Sequence, residues 1–140
     1  MFSFVVKRLG FLKSIPLLAI VYDCLIKLWI LLTNPRLLGW IDELEETVLL
    51  LPNTNISLHQ YGGLQFNYKN KEFAHCHSNG ILDVLFNLKI KQDLMEHGKI
   101  QPHHVFEHSG WISFYIKTTE DVNYAKDLLV LAYQRSVKFE

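Results

Sequence analysis

Cysteine is scarce in this chain of 140 residues, and its scarcity narrows the classes of protein that fit. Cys24 and Cys76 are the only two cysteines, they lie in unrelated contexts, and no C-x-x-C motif is present. A disulfide framework is therefore not expected, and a structural zinc site built on thiolates is excluded. The same composition fits a reducing compartment, so we expect a cytoplasmic protein.

An excess of either charge is also missing. Lys and Arg total 14, as do Asp and Glu, so we expect no nucleic-acid partner. No glycine-rich loop opens a helix to cradle phosphate, and no serine lies in a nucleophile elbow. What is present is apolar: hydrophobic residues make up 49% of the chain and charged residues 20%. This balance predicts a folded domain rather than a disordered segment.

The first third of the chain contains an almost wholly apolar run. Residues 15–32 are interrupted only by Asp23 and Lys27, whose i, i+4 spacing lets them pair on a helix. A run of about 18 residues barely spans a bilayer, and two charges within it would be costly there. Three interpretations stay open, namely a helix packed on the core, a helix in the membrane interface and a transmembrane anchor. We treat residues 1–33 as a hydrophobic N-terminal helical segment, a candidate for membrane association, and 34–140 as the folded domain.

Beyond residue 33 the pattern predicts an α+β fold. Asn34 and Pro35 suit the start of a helix, which ends before Pro52 and has its apolar stripe at Leu37, Ile41, Leu44 and Val48. Alternating segments then predict strands at 56–61, 64–68, 72–77, 81–86 and 111–117. Further helices are predicted at 88–97 and after the capping pattern of Thr118 and Asp121. The sequence therefore predicts an antiparallel sheet of about four to five strands, packed with helices and preceded by hydrophobic N-terminal helices.

The predicted hairpin at residues 64–77 decides where two of the histidines point. With a two-residue turn near Asn70, directly paired residues share a face of the sheet. His75 and His77 then lie on the apolar face, together with Leu64, Phe66, Tyr68 and Phe73. The opposite face carries Gln65, Asn67, Glu72, Ala74 and Cys76. On strand 111–117, Ile112, Phe114 and Ile116 suit the core, while Trp111, Ser113 and Tyr115 face a pocket. The sequence thus predicts a cleft with an aromatic wall and a histidine floor.

Two chemistries fit this floor. Imidazoles at i and i+2 project to the same side of a strand and can reach one metal ion, with a third ligand from Asp83 or His103. Without a metal, one histidine can remove a proton from a phenol or enol and a second can stabilise the anion. The predicted catalytic residues are His75, His77, Asp83 and His103, and the predicted substrate-binding residues are Phe66, His104, Trp111 and Tyr115. We expect His59, His97 and His108 to be solvated, and a purely structural role for the cluster is the alternative.

Four segments in a fixed order resemble the luciferase-domain family, which includes small bacterial proteins and the fungal luciferases. They are "YGGLQF", "KEFAHCHSNGILDVLF", "HGKIQPHHVF" and "SGWISFYIKTTEDVNYAKDLLVLAY", and the resemblance covers about residues 52–135. It implies that the family's H-x-H pair is His75 and His77 and that a later family histidine matches His103. Asp83 stands where the fungal pattern has a histidine, so we do not expect light emission.

The family resemblance also implies a function and its partners. Fungal members oxidise a hydroxylated pyrone with dioxygen and without an organic cofactor, and they begin with a membrane-associating segment. The chain is therefore expected to bind or oxidise a small phenolic or pyrone-like molecule, with no organic cofactor and with a divalent metal as an open alternative. A membrane surface is a second expected partner. The competing hypothesis is a non-catalytic binding or membrane-associated module with structural histidines.

Overall fold

The computed structural model describes residues 16–98, 100–103 and 105–138. In these residues the chain forms four helices and six strands. The helices are α1 Pro16–Thr33, α2 Pro35–Leu49, α3 Leu88–His97 and α4 Thr119–Lys138. The strands are β1 Thr54–Leu58, β2 Leu64–Tyr68, β3 Lys71–Cys76, β4 Ile81–Leu85, β5 Gln101–Pro102 and β6 Trp111–Tyr115. The predicted α+β class is confirmed, with a slightly higher strand count.

The strands form one antiparallel sheet in the order β1-β2-β3-β4-β6-β5. Four of the five neighbouring pairs join strands of five or six residues. The additional strand, β5, is a two-residue edge strand beside β6. A strand of two residues is too short to show an alternating pattern, so the sequence did not predict it. It also contains Pro102, which cannot donate a hydrogen bond within a central strand.

One face of the sheet carries the hydrophobic core, against which α2 and α4 pack. The apolar stripe predicted for α2 is buried at all four positions. The stripe of α4 is likewise buried at Val122, Ala125, Leu129 and Ala132. The sheet contributes Phe66, Ala74, Leu82, Val84, Ile112 and Phe114, all close to fully buried. This core leaves the opposite face of the sheet available for a polar site.

A β-bulge in β3 changes the predicted register. The hairpin turn has two residues, Lys69 and Asn70, both with positive φ, as in the turns that join twisted antiparallel strands. Asn67 pairs with Glu72, but Phe66 pairs with Ala74, so Phe73 is an extra residue on β3. An extra residue reverses the side-chain parity beyond it.

The prediction that Leu64 and Phe66 share a face of the sheet with His75 is therefore wrong. His75 pairs with Gln65 and not with an apolar residue, and Phe66 turns into the core on the face away from the histidines. Phe66, predicted to bind substrate, is a core residue. The bulge also brings Glu72 onto the histidine face, because it lets residues three apart on a strand point the same way. Ala74 and Cys76 lie on the face opposite His75, as predicted, but that face carries the hydrophobic core rather than the polar residues.

Helix α1 packs against α2 and reaches the histidine side of the sheet through Asp23. Its carboxylate oxygen Oδ2 accepts hydrogen bonds from the backbone N–H of Gly63 at 3.0 Å and from the Ser78 hydroxyl at 2.8 Å. Gly62 permits the approach, since a Cβ there would lie 2.4 Å from the Asp23 Cβ and its φ is +87°. Asp23 thus anchors α1 to the sheet, which differs from the predicted side-by-side pairing with Lys27.

No single helix in the described ranges has the length and hydropathy that crossing a bilayer requires. Together α1 and α2 meet that requirement by length and composition, as a pair bent by 118°.

Candidate functional site

Strand pairing places a row of polar residues across the face opposite the core. Gln65 pairs with His75, His75 with Asp83, and Asp83 with Ser113. Directly paired residues share a face, so these four side chains lie side by side on β2, β3, β4 and β6. His75 of this row lines the floor of a cavity of about 840 Å³, together with His59, Glu72, His77 and His103, and Asp83 lies directly behind the imidazoles of this floor. The cavity wall includes Tyr22 and Ile26 of α1, together with Tyr61, Phe106, Trp111 and Tyr115.

Asp83 is the centre of the floor and is fully buried. Its Oδ1 accepts a short hydrogen bond from the Ser113 hydroxyl. Its Oδ2 faces three imidazole Nε2 atoms, of His75 at 3.1 Å, His77 at 3.4 Å and His103 at 3.7 Å. Oδ2 nevertheless has no aligned hydrogen bond among the described residues. Burial alone would raise the pKa of Asp83, but contacts with His75, His77 and Ser113 hold it well below its ordinary value.

His75 lies between two carboxylates. Its Nε2 faces Asp83, and its Nδ1 lies 2.6 Å from Oε1 of Glu72. Both partners are acceptors when ionised, so both ring nitrogens carry a proton in the metal-free protein. Burial alone would lower the pKa of His75, but the bonds and charges of Asp83 and Glu72 outweigh it and raise the pKa to about 9.

His59 belongs to the site, which corrects the prediction that it is solvated. It is buried, and its ring stacks on His75 with centroids 4.1 Å apart. Burial and the adjacent charge of His75 lower the pKa of His59 to about 4, so it is neutral near pH 7. Its Nδ1 accepts a long 3.4 Å bond from the Tyr61 N–H. His97 and His108 are exposed, as expected.

His77 and His103 present different groups to the cavity. The His77 side chain is 26% exposed, compared with 10% for His75 and 6% for His103, so it is the most accessible of the three. The Nδ1 of His103 accepts backbone N–H groups of Val105 and Phe106, each at 3.1 Å. Its proton is therefore on Nε2, and His103 faces Asp83 as a donor.

The loop that holds His103 is fixed by a lysine that the sequence did not indicate. Lys91 of α3 is buried, and its ammonium group donates to the carbonyls of Glu107 and Ser109 at 2.7 and 2.8 Å. This loop also carries Phe106, whose ring stacks on His103 with centroids 5.1 Å apart. A buried cation that donates to two loop carbonyls has a structural role here.

The predicted substrate-binding residues fall into three groups. Trp111 and Tyr115 line the cavity, and the Trp111 ring lies 5.2 Å from that of His75. Phe66 lies in the core, for the reason given above. His104 lies outside the described residues. Sequence reasoning missed Glu72 and His59; the adjacent apolar residues Phe73 and Ala74, which break the alternation of β3, were the available signal for the bulge.

The thiol of Cys76 takes no part in the floor. It lies on the core face, and burial raises its pKa to about 12. A thiol in that state is a poor nucleophile.

Two residue sets in the described structure have ligand atoms close enough to share a metal ion. They are His75, His77 and Asp83, and His59, Glu72 and His75, with ligand atoms of each set within 4.8 Å of one another. His75 belongs to both sets. Histidine and carboxylate ligands suit first-row transition metals.

These features define a class: an α+β domain whose antiparallel sheet carries a histidine–aspartate cluster at the base of an aromatic-walled cavity. Residues 70–132 match the family model described as Luciferase domain. This part of the chain is therefore similar to that family. The matched region runs from the hairpin turn into α4 and includes His75, His77, Asp83 and His103. A search of curated proteins found no match.

Proposed function

We propose that the cavity binds a small planar phenol or enol, ionises its hydroxyl group and promotes its reaction with dioxygen. The observation that carries the proposal is the convergence of three imidazole Nε2 atoms on one buried carboxylate oxygen at the cavity floor. Such a cluster, with perturbed pKa values inside a cleft, is typical of a functional site. The similarity of residues 70–132 to the luciferase-domain family supports the choice of substrate class.

The cavity suits a flat, mainly apolar ligand. Its volume of about 840 Å³ lies within the range of small-molecule sites. Trp111 and Tyr115 on one side and Tyr22 on the other offer ring faces and edges to an aromatic ligand. The imidazoles and Glu72 lie together on the floor, so a bound phenol would point its hydroxyl group there.

The floor can ionise that hydroxyl group. His77 is its most accessible imidazole, and Asp83 lies behind its Nε2. His77 takes part in this ionisation in one of two ways. It accepts the proton while Asp83 orients its ring, or it binds a cation that increases the acidity of the hydroxyl group. The Nε2–H of His103 is directed at the same region and can donate to the resulting oxyanion.

The reaction balances without an organic cofactor. The ionised substrate supplies an electron pair from its electron-rich ring carbon, and a carbon–oxygen bond forms to dioxygen. The proton released at ionisation is returned to the distal oxygen, so the first product is a hydroperoxide. Dioxygen is reduced and the substrate carbon is oxidised.

Oxygen uptake tests the proposal. The full chain is mixed with a panel of hydroxypyrones and phenols, and uptake is recorded for wild type, His77→Gln and His97→Gln. We expect uptake with at least one compound, a roughly 10²- to 10⁴-fold lower rate in His77→Gln, and an unchanged rate in His97→Gln, because His97 is exposed and outside the cavity. Saturable binding without uptake would instead favour a non-catalytic binding module.

We also propose that the domain works in the cytoplasm at a membrane surface. Helix α1 exposes a large apolar area at Leu17, Val21, Leu25, Leu28, Trp29 and Leu32, while other residues of α1 line the cavity. Basic residues Lys7, Arg8 and Lys13 precede it in the sequence. Apolar residues with a tryptophan next to basic residues are typical of interfacial helices.

Vesicle sedimentation tests this second proposal. Leu25→Glu is expected to reduce binding of the full chain to vesicles of anionic lipid. Leu50→Glu is the matched control, because Leu50 is 84% exposed but lies just beyond α2. Equal binding by both variants and wild type, or no binding by wild type, would contradict a role for α1.

A further inference from the structure

We propose that His75, His77 and Asp83 form a binding site for one divalent transition-metal ion, with Glu72 holding His75 in its ligating orientation. Two histidines and one carboxylate that leave open positions are the ligand set of non-haem iron oxygenases. The inference rests on the proposed function for the choice of ferrous iron. Metal binding itself rests on the geometry of the three side chains.

The ligand atoms already have the separations that one ion requires. Asp83 Oδ2 lies 3.1 Å from His75 Nε2 and 3.4 Å from His77 Nε2. Two ligands at about 2.1 Å from one ion, at right angles or slightly more, lie roughly 3 Å apart. All three atoms lie within 4.8 Å of one another, so small side-chain rotations suffice to bring them onto an ion.

The surroundings of Asp83 give an independent reason to expect a bound cation. The residue is fully buried, and its Oδ2 has no aligned hydrogen bond among the described residues. A buried carboxylate oxygen that is held by ion pairs alone, without an aligned donor, is incompletely satisfied, and a cation between it and the imidazoles would complete its bonding. Glu72 and Asp83 also place two negative charges beside His75. A divalent ion that replaces the proton on His75 Nε2 neutralises both.

The neighbours of the three ligands support them as a metal site does. Glu72 accepts from His75 Nδ1 at 2.6 Å, which leaves Nε2 to bind the ion. The Ser113 hydroxyl donates to Asp83 Oδ1 and directs Oδ2 inward. His103 is excluded as a fourth ligand, because its Nδ1 accepts two backbone N–H groups and its Nε2 therefore carries the proton.

The second ligand set is less suitable. His59, Glu72 and His75 also lie within reach of one another. There, however, Glu72 is already bonded to His75 Nδ1, and its distance to His59 Nε2 is 3.8 Å. The His59 Nδ1 accepts from Tyr61, which puts its proton on Nε2, the atom that would have to ligate.

Metal titration of the chelator-treated full chain tests the inference without any organic substrate. Cobalt(II) is added and its visible absorption recorded, and ferrous iron retained after anaerobic dialysis is measured. Wild type is compared with His77→Ala, Asp83→Asn, Glu72→Gln and the exposed control His97→Ala. Circular dichroism establishes that each variant is folded, and His77→Ala, at a partly exposed position, keeps the test valid if Asp83→Asn does not fold.

We expect one ion per chain in wild type and in His97→Ala, and no specific binding in His77→Ala or Asp83→Asn. Glu72→Gln should bind about 10- to 100-fold more weakly, as expected for a residue that positions a ligand. Loss of binding in Glu72→Gln with retention in Asp83→Asn would assign the ion to the second set and overturn the proposal. Absence of binding in wild type would overturn it too, yet oxygen uptake in the presence of chelator would leave the proposed function standing.

Discussion

Replacing Glu72 with glutamine removes one of the two carboxylates that hold the His75 proton. In chelator-treated protein the folded-state pKa of His75 is about 9, compared with 6.5 for an unperturbed histidine. A rise of that size corresponds to roughly 3 kcal/mol of stabilisation, shared between Asp83 and Glu72. Asp83 is the larger contributor. The Glu72 side chain is 27% exposed, and glutamine still accepts a hydrogen bond. We therefore expect Glu72→Gln to lose about 1 kcal/mol near pH 7.

The direction of the His75 pKa shift determines how the effect of Glu72→Gln on stability changes with pH. Because the folded-state pKa is raised, the stabilisation is fully present below about pH 6.5 and is lost as pH rises through about 9. The difference in free energy of unfolding between wild type and Glu72→Gln should accordingly shrink from pH 7 towards pH 10.

Urea denaturation at several pH values, with chelator present, measures that difference. Glu43→Gln is the control, since Glu43 pairs with Lys126 at the surface and such pairs contribute about 0.5 kcal/mol or less. Its effect should stay nearly constant between about pH 7 and pH 9. A Glu72→Gln loss that is equally constant, or that grows as pH rises, would refute the assignment of a doubly protonated His75.

Three further predictions concern the core face and α1. A thiol reagent at mildly alkaline pH should modify the exposed Cys24 quickly and Cys76 only after denaturation, as peptide mapping would show; equal rates would contradict the burial of Cys76. Phe66→Ala should lower the free energy of unfolding by about 3–5 kcal/mol in urea denaturation, whereas loss of ligand binding at unchanged stability would return Phe66 to the cavity. Gly62→Ala places a Cβ 2.4 Å from the Asp23 Cβ and should weaken hydrogen-exchange protection in α1; unchanged protection would mean that α1 does not depend on this contact.

Local pattern predicted the elements well because each element obeys its own periodicity. The four apolar residues of α2 and those of α4 are buried because a helix that packs on a sheet must present one stripe. On β6 strict alternation placed Trp111 and Tyr115 on the cavity side and Ile112 and Phe114 in the core. The histidines and Asp83 came together because direct pairing of β3 with β4 aligns His75 with Asp83.

The features that local pattern did not predict depend on single residues or on contacts between distant parts of the chain. One bulged residue, Phe73, moved Phe66 to the core and Glu72 to the site. Alternation alone cannot locate such an insertion. His59 enters the floor because the chain bends back at Gly62 and Gly63, where both φ values are positive. Asp23 bonds to groups 40 and 55 residues away, a separation at which sequence spacing carries no signal.

The ionisation state of a bound nitrophenol shows whether the cavity floor ionises a phenol, since neutral and ionised nitrophenols absorb light differently. The ligand is titrated with the full chain as isolated, at a pH below the pKa of the free phenol. We expect a saturable spectrum of the ionised form in wild type and in His97→Gln, and its loss in folded His77→Gln. A nitrophenol that binds only in its neutral form, or that ionises equally well in His77→Gln, would contradict the claim that the histidine–aspartate floor ionises a phenol.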